Sequence, residues 1–157
     1  MLGIIAVVLA RCAAIALFLP FSALDKILNP KQAIRQAEQV SSFRPLAIIM
    51  LTAGCALEVL TSVAILSGVA DRLAAFVLAA YCVLTAVLWK QFWRAPHFRF
   101  QGQGQGRETF WDFFKNLALA GGFLLFAFGT NSVGAEHFFA HPLASSHPYS
   151  TIDEQIR

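Results

Sequence analysis

Four long apolar stretches constrain what this chain can fold into. Each is about twenty residues long, which is enough to cross ~30 Å of hydrocarbon as a helix. The chain is 57% hydrophobic and only 13% charged, so little polar sequence remains to cover a soluble domain. The apolar residues also run continuously, without the alternation that a membrane barrel requires. The sequence therefore predicts an all-α membrane protein, an antiparallel four-helix transmembrane bundle with spans at about residues 2–24, 46–68, 73–93 and 110–129.

The basic residues predict how these spans are oriented. The loop between spans 1 and 2 and the loop between spans 3 and 4 carry four each, against two on the opposite side. Cytoplasmic loops are enriched in Lys and Arg. We therefore expect a protein of the bacterial inner (plasma) membrane with cytoplasmic basic loops and both termini outside, in the periplasm. The eight loop residues are Lys26, Lys31, Arg35, Arg44, Lys90, Arg94, Arg99 and Arg107.

The chain divides into a bundle at residues 1–134 and a polar C-terminal tail at residues 135–157. Lys31–Val40 is mostly polar and follows Pro30, so a short helix on the membrane surface is expected there. The repeated Gln-Gly pairs of Gln101–Gly106 predict a flexible linker. The tail is expected to be partly disordered, with a short apolar patch at Phe138–Leu143.

Two charged residues interrupt the apolar stretches, Arg11 in span 1 and Glu58 in span 2. An intramembrane charge costs roughly 2.5–3.5 kcal/mol on insertion scales, so such residues face the bundle interior and find partners. By helical rise, Arg11 lies ~14 Å and Glu58 ~15 Å from the outer ends of their spans. These matching depths predict a buried Arg11–Glu58 pair. Gly54 and Ser62 lie one turn to either side of Glu58 and extend a small and polar stripe.

Two interpretations of Glu58 stay open at this stage. In one, it is a structural salt bridge and hydrogen-bond hub that fixes helix register. In the other, it carries protons or hydrogen-bonds a small molecule such as a quinone. A second polar cluster is expected near the cytoplasmic face, with Lys26 at the end of span 1 and Lys115 and Asn116 in the first turns of span 4. Interfacial anchoring and helix packing are the plain explanation of this cluster.

The cysteines and histidines carry weaker indications. Cys12, Cys55 and Cys82 lie near the middle of three different spans and form no Cys-x-x-Cys pair. Three thiols at one depth would suit Cu(I), although buried free cysteines usually act as small hydrophobic residues. All four histidines are outside the spans, which argues against a haem held between these helices. The sequence contains no phosphate-binding loop, hydrolase triad or flavin motif, and so no self-sufficient active site.

Polar and aromatic motifs follow one another in a recognisable order over about residues 8–134. They are Arg11, Lys26, Glu58, Arg72, Gln91-Phe92-Trp93 and Phe113-Phe114-Lys115-Asn116-Leu117-Ala118-Leu119-Ala120-Gly121-Gly122. This order resembles the DoxX family of small four-span membrane proteins. The glutamate of span 2 together with the Phe-Lys-Asn opening of span 4 is the most specific part of this resemblance. The sequence differs from the family pattern in lacking a glycine shortly before Lys26, in its longer 3–4 loop and in its longer tail.

The resemblance implies a four-helix bundle associated with membrane oxidoreductase systems, such as thiosulfate–quinone oxidoreductases. We expect an integral subunit of a quinone-linked oxidoreductase, with no cofactor of its own and a quinone as its ligand. Glu58 and Arg11 would bind or protonate the quinone, and Lys26, Lys115 and Asn116 would shape the inner entrance. The expected partners are the lipid bilayer and other membrane subunits, and not nucleic acid. The alternatives are a non-catalytic structural or assembly subunit and, ranked lower, soft-metal handling.

Overall fold

The computed structural model describes residues 1–40, 43–95, 99–101 and 104–150, and within these ranges it is helical and contains no strand. Four helical segments are long and apolar enough to cross a membrane: Leu2–Leu28, Arg44–Ser67, Asp71–Arg94 and Gln105–Phe128. The predicted all-α membrane bundle with four spans is confirmed. The α-helices are α1 (Leu2–Ile15), α2 (Ala23–Leu28), α3 (Pro30–Glu38), α4 (Arg44–Ser67), α5 (Asp71–Trp89), α6 (Gln105–Phe128) and α7 (Ser132–Ala140).

The first span is one continuous helical segment with a wider turn in its middle. Residues Leu17–Ser22 form a π-helical segment between α1 and α2, and Pro20 lies inside it. Proline has no backbone N–H to donate and its ring crowds the preceding turn. The backbone accordingly widens there, and the amide of Ala23 bonds to the carbonyl of Phe18, five residues back. Such π-helical turns are frequent at functional sites.

A tight turn joins α4 to α5 and makes them antiparallel neighbours. Gly68 ends α4 in the left-handed conformation with φ of 78°, which glycine adopts at little cost. We call this side of the bundle the Gly68 end. The opposite side, where α5 stops and Lys90 caps it, is called the Lys90 end.

Small residues let the central helices approach closely. α5 packs against both α4 and α6, while the first span packs mainly against α4. Close helix packing in membranes depends on small residues because lipid offers no hydrophobic driving force between helices. The buried faces of α5 and α6 fit this rule with Ala74, Ala75, Ala79, Ala86, Ala120 and Ala127.

The helix α3 and the start of α6 show how well sequence patterns predict the loops between the spans. α3 forms where a surface helix is expected, and it packs on α4. The predicted linker Gln101–Gly106 is partly helix instead, because α6 already begins at Gln105. Its residues 102 and 103 lie outside the described residues. Glutamine is a good helix former, so the last Gln-Gly pair extends the span.

The tail is ordered through residue 150, so the expectation of disorder is wrong for this part. Asn131 caps α7 by accepting a hydrogen bond from the amide of Gly134 at 2.8 Å. Phe138 is buried against Phe76 and Phe128, with ring centroids 5.4 and 5.2 Å away. The segment after α7 then crosses the Gly68 end. Apolar burial and specific hydrogen bonds outweigh the polar composition of the tail.

Candidate functional site: two buried charged centres

Glu58 is buried where three membrane segments meet. Its side chain is 2% exposed. Oε1 accepts a hydrogen bond from Lys26 Nζ at 2.5 Å and another from the hydroxyl of Tyr81 at 2.7 Å. Lys26 belongs to α2 and Tyr81 to α5, so this carboxylate links the first span, α4 and α5. We call these three residues the Glu58 centre.

Gly54 makes room for the tyrosine of this centre. It lies one turn before Glu58 on α4. A Cβ added at Gly54 would lie 3.1 Å from the Tyr81 hydroxyl oxygen, which is tighter than an ordinary contact. The glycine of the predicted small and polar stripe therefore has a structural role. It lets the phenol of α5 approach α4 and reach the carboxylate.

The Glu58 centre keeps unused hydrogen-bonding capacity. Glu58 Oε2 is buried and has no partner among the described residues, and the same is true of the Ser62 hydroxyl one turn further along α4. A buried acceptor without a partner costs ~1–3 kcal/mol. Such atoms in a native protein call for an explanation, for example a bound ligand or ordered water.

Lys26 is the exposed member of the Glu58 centre. Its side chain is 21% exposed while that of Glu58 is 2% exposed. Lys26 lies two residues before the end of α2, and its long stem carries the ammonium group to the buried carboxylate. The centre therefore connects the interior with the surface through a single flexible cation.

Arg11 belongs to a different centre at the Gly68 end. Its guanidinium bonds to Asp71 Oδ2 at 2.6 Å, to the Ser146 hydroxyl at 2.8 Å and to the carbonyl of Ile65. It also lies over the ring of Phe126 at 4.7 Å from the centroid. Asp71 is completely buried at the start of α5. We call Arg11, Asp71 and Ser146 the Arg11 centre.

Both oxygens of Asp71 are fully used. Oδ2 accepts from Arg11 and from the Ser146 hydroxyl, the latter at 2.5 Å. Oδ1 accepts from the backbone amides of Ser146 and Arg72 at 2.9 and 3.1 Å. Hydrogen bonds to a carboxylate are the strong ones, and four of them compensate its burial. Arg11 Nε is the one buried atom of this centre that lacks a partner among the described residues.

The predicted Arg11–Glu58 pair is therefore wrong. Residue counts from the ends of two spans give comparable depths in the membrane only when both spans end at the same level. Arg11 instead bonds to the carbonyl of Ile65, two residues before α4 ends, so it lies near the Gly68 end. Glu58 lies nine positions before that end of α4. Lys26, a residue assigned to another cluster, supplies its cation instead.

The predicted inner cluster of Lys26, Lys115 and Asn116 does not form as one unit. Lys26 joins the Glu58 centre. Lys115 pairs with Asp112 at 3.5 Å on the same helix, and Asp112 also pairs with Lys90 at 3.0 Å. Asn116 is half-buried, and its side chain makes no hydrogen bond to a residue in the described ranges.

An apolar groove lies between α1 and α6. It has a volume of about 590 Å³, and Lys115 is the one charged residue among its described lining residues. Phe123, at its floor, packs edge-on against Phe18 of the first span at 5.7 Å. The groove marks where the first and fourth spans stay apart. Its lining residues are Ala14, Lys115, Ala118, Leu119, Gly122, Phe123 and Phe126.

The three cysteines are not brought together. Cys12 is exposed, Cys55 half-buried and Cys82 buried. Within the described part of the chain, no group of three or more His, Cys, Asp or Glu residues could hold a metal ion. In the tail, His137 contacts His141 and Arg72 instead, and His97 lies outside the described residues. The three-thiol site that soft-metal handling would need is therefore not formed.

Tyr81, Asp71 and Ser146 are the residues of the two centres that the sequence patterns miss. Asp71 directly precedes Arg72 at a helix start, where it resembles an ordinary interfacial charge. Tyr81 resembles one more apolar residue of span 3, although it lies almost as many residues from the α4–α5 turn as Glu58 does. Ser146 lies 135 residues from Arg11, and no local pattern indicates their contact.

Comparison with known proteins agrees with this architecture. A family model described as DoxX matches residues 4–91, more than half of the chain. The protein belongs to the DoxX family. The matched range includes Arg11, Lys26, Glu58, Asp71 and Tyr81, and it ends before α6. Searches of the curated proteins and of the solved structures find no match.

Proposed function

We propose that this DoxX-family protein is an integral subunit of a quinone-linked membrane oxidoreductase and that its Glu58 centre faces the quinone head group. The observation that carries this proposal is the unpartnered, buried Oε2 of Glu58. A purely structural hub would use both oxygens, as Asp71 does. The free oxygen and the adjacent Ser62 hydroxyl leave one acceptor and one donor for a ligand.

The residues of this centre fit a quinone. A quinone carbonyl accepts hydrogen bonds, and the hydroxyl of the reduced form donates one. Ser62 and Lys26 supply donors, while Glu58 Oε2 supplies an acceptor. When bound, a quinone would take up two electrons from the partner enzyme and two protons from water. Lys26, which is partly exposed and bonds to Glu58, would pass on the protons, and Tyr81 would hold Glu58 in place.

The apolar groove supports the same proposal, because a quinone carries a long apolar chain. The groove lies between the first and fourth spans and is lined by small and aromatic residues. Ligand sites in helical bundles form between helices in this manner. Lys115 and Asn116 would then shape its entrance. Arg11 would stabilise the bundle without touching the ligand, because its hydrogen bonds are made at the Gly68 end.

The charges of the bundle support one orientation in the membrane. Lys90, Arg94 and Arg107 lie at the Lys90 end, which we place in the cytoplasm of a bacterial inner membrane. The Gly68 end with α7 and the tail would face the periplasm. Partner subunits of the oxidoreductase would supply the electron donor.

A structural or assembly subunit is the second candidate, and one observation favours it. The bonds of Glu58 tie three membrane segments together. In this role, loss of Glu58 would weaken folding and complex assembly without a selective effect on electron transfer. The two candidates therefore differ in what a Glu58 variant does once it is assembled.

Replacement of Glu58 by glutamine tests the proposal. Glu58→Gln keeps the shape and the hydrogen bond from Tyr81 but removes the charge. We expect roughly tenfold less quinone to co-purify in mild detergent, and slower quinone reduction by native membranes, because a charge-assisted hydrogen bond is lost. The matched control is Glu38→Gln on α3, whose carboxylate only makes a 3.9 Å pair with Arg44.

Each outcome separates the candidates. Selective loss of quinone from a normally assembled Glu58→Gln protein supports the quinone-linked role. Full quinone content and turnover in that variant would overturn it. Loss of the assembled protein in proportion to activity would instead identify the structural subunit.

A further inference from the structure

A polar cavity of about 660 Å³ lies at the Lys90 end, away from the Glu58 centre. It is formed where α5 ends and α6 begins, with Gln39, the residue directly after α3, on another side. Three arginines line it, and none of its described lining residues is acidic. The lining residues are Gln39, Leu88, Trp89, Gln91, Arg94, Ala95, Arg99, Gln101, Gly104, Gln105, Gly106, Arg107 and Thr109.

We propose that this cavity binds a phosphate group, carried either by an anionic lipid headgroup or by a soluble phosphate. The proposal is independent of the quinone-linked role, because none of the cavity residues belongs to the Glu58 centre. It is carried by three observations: the uncompensated charge of the cavity, the first turn of α6 and a buried guanidinium nitrogen.

The positive charge of the cavity is not neutralised within the described residues. Arg94, Arg99 and Arg107 form none of the ion pairs found there. The ion pair between Asp112 and Lys90 is outside the cavity lining. Three guanidinium groups around one space repel each other unless an anion enters. Arginine matches phosphate because its planar fork donates two parallel hydrogen bonds.

The first turn of α6 adds partial positive charge to the same space. Gly104, Gln105 and Gly106 all line the cavity. The carbonyl of Gly104 accepts from the amides of Arg107 and Glu108, and no side chain caps this helix. The amides of Gln105 and Gly106 precede these bonds and stay available. Free amides at the start of a long helix, together with its dipole, bind phosphate readily.

Among the three cavity arginines, Arg107 gives the most direct reason to expect a bound anion. Its Nε is buried, yet makes no hydrogen bond within the described ranges. Desolvating such a cationic donor is costly without a partner. A phosphate oxygen in the cavity would satisfy it. Arg107 also belongs to the first turn of α6, so the same anion would meet the guanidinium and the helix amides together.

Trp89 allows binding to be measured directly. It lines the cavity, and its indole N–H donates to the carbonyl of Gln36 at 2.8 Å. With Trp93 and Trp111 replaced by phenylalanine, Trp89 is the only tryptophan of the chain. The full-length protein would be placed in phosphatidylcholine nanodiscs. One arm adds increasing phosphatidylglycerol, and the other adds inorganic phosphate to the buffer.

We expect Trp89 fluorescence to saturate with one of these probes, and the responding probe identifies the source of the phosphate group. Arg99→Gln and Arg107→Gln should each weaken that response about fivefold, as expected for one cation near an anionic group. The matched control is Arg35→Gln on α3, an exposed arginine outside the cavity. It removes the same charge and should leave the response unchanged.

Two results would overturn the proposal. One is the absence of a saturable response to either probe. The other is an equal loss in Arg35→Gln and Arg107→Gln, which would show general surface attraction without a site. The thermal unfolding temperature of each variant verifies that the protein is folded, which is expected because Arg99 is exposed and Arg107 lies in the first turn of α6.

Discussion

The bundle contains two buried acid–base pairs that differ in how completely they are satisfied. In the Arg11 centre, Asp71 is completely buried, and each of its oxygens accepts two hydrogen bonds. In the Glu58 centre, one oxygen accepts two hydrogen bonds and the other accepts none from the described residues. The cation also differs, since the side chain of Arg11 is 4% exposed and that of Lys26 is 21% exposed.

This difference suggests that the two centres have different roles. A pair whose carboxylate oxygens are all used has no acceptor left for a ligand and joins parts of the chain. A pair with an unused carboxylate oxygen and a partly exposed cation keeps an acceptor for a ligand. Burial of a charge alone therefore does not distinguish the two centres. The unused oxygen of the carboxylate does.

The largest expected effect comes from breaking the closed pair. Asp71→Leu leaves Arg11 buried and without its carboxylate, which should lower the free energy of unfolding by about 3–5 kcal/mol. The double variant Arg11→Leu/Asp71→Leu should recover much of this loss, because no unpaired charge remains. Equilibrium unfolding in mixed detergent micelles measures both values.

Glu58→Leu is the matched comparison for this prediction. Its cation, Lys26, lies near the end of α2 and can turn towards water when the carboxylate is lost. We therefore expect a smaller loss than for Asp71→Leu. Equal losses at the two positions would remove the proposed distinction between the centres.

An intermediate effect is expected at Gly68, which lies under the tail. A Cβ there would lie 2.9 Å from Pro148, and the left-handed backbone adds about 1–2 kcal/mol for a residue with a side chain. Gly68→Ala should therefore lift the segment that carries Ser146. Faster proteolysis after α7, measured in detergent, would report this.

Gly121→Ala is the control, because a Cβ at Gly121 meets nothing within 4 Å. It should leave the tail protected. A tail that stays equally protected in Gly68→Ala would mean that Pro148 does not hold it. Quinone content should not change in either variant if the Glu58 centre works independently of the Arg11 centre.

The smallest effect on stability is expected from removing one hydroxyl of the Glu58 centre or one hydroxyl beside the Arg11 centre. Tyr81→Phe loses the bond to Glu58, and Tyr149→Phe loses the bond to the carbonyl of Leu66. Hydrogen bonds between membrane helices contribute about 0.6 kcal/mol on average. Both variants should therefore unfold nearly as the unmodified protein does, while only Tyr81→Phe should lower quinone turnover. A loss of several kcal/mol in Tyr81→Phe would assign a structural role to the Glu58 centre.

Sequence patterns predict the scaffold well because hydropathy reports directly on lipid contact. The four spans, the surface helix and the inward orientation of Glu58 all follow from it. The partners of the charges do not follow, because long side chains reach across more than one helical turn. Lys26 shows this: it lies at a span end, where a lysine usually points to water, yet it bonds to a carboxylate on another helix.

Sequence patterns do not predict the attachment of the tail to the bundle, for a different reason. Its attachment depends on single hydroxyl groups of Ser145, Ser146 and Tyr149, which bond to Gly68, the Arg11 centre and Leu66. Hydropathy does not register a few hydrogen bonds between residues so far apart in sequence. The same holds for Asp71, whose role depends on a residue 60 positions away.

The contact between Arg11 and Ser146 also has a consequence for biosynthesis. Arg11 leaves the ribosome 135 positions before Ser146 does. Chains fold from the N-terminus while they are made. The arginine must therefore stay in the membrane, first without Asp71 and then without Ser146, until Ser146 has been synthesised. A nascent chain that stops after the fourth span would lack the final hydrogen bonds of this centre and would be distinguishable from the finished protein by cellular quality control.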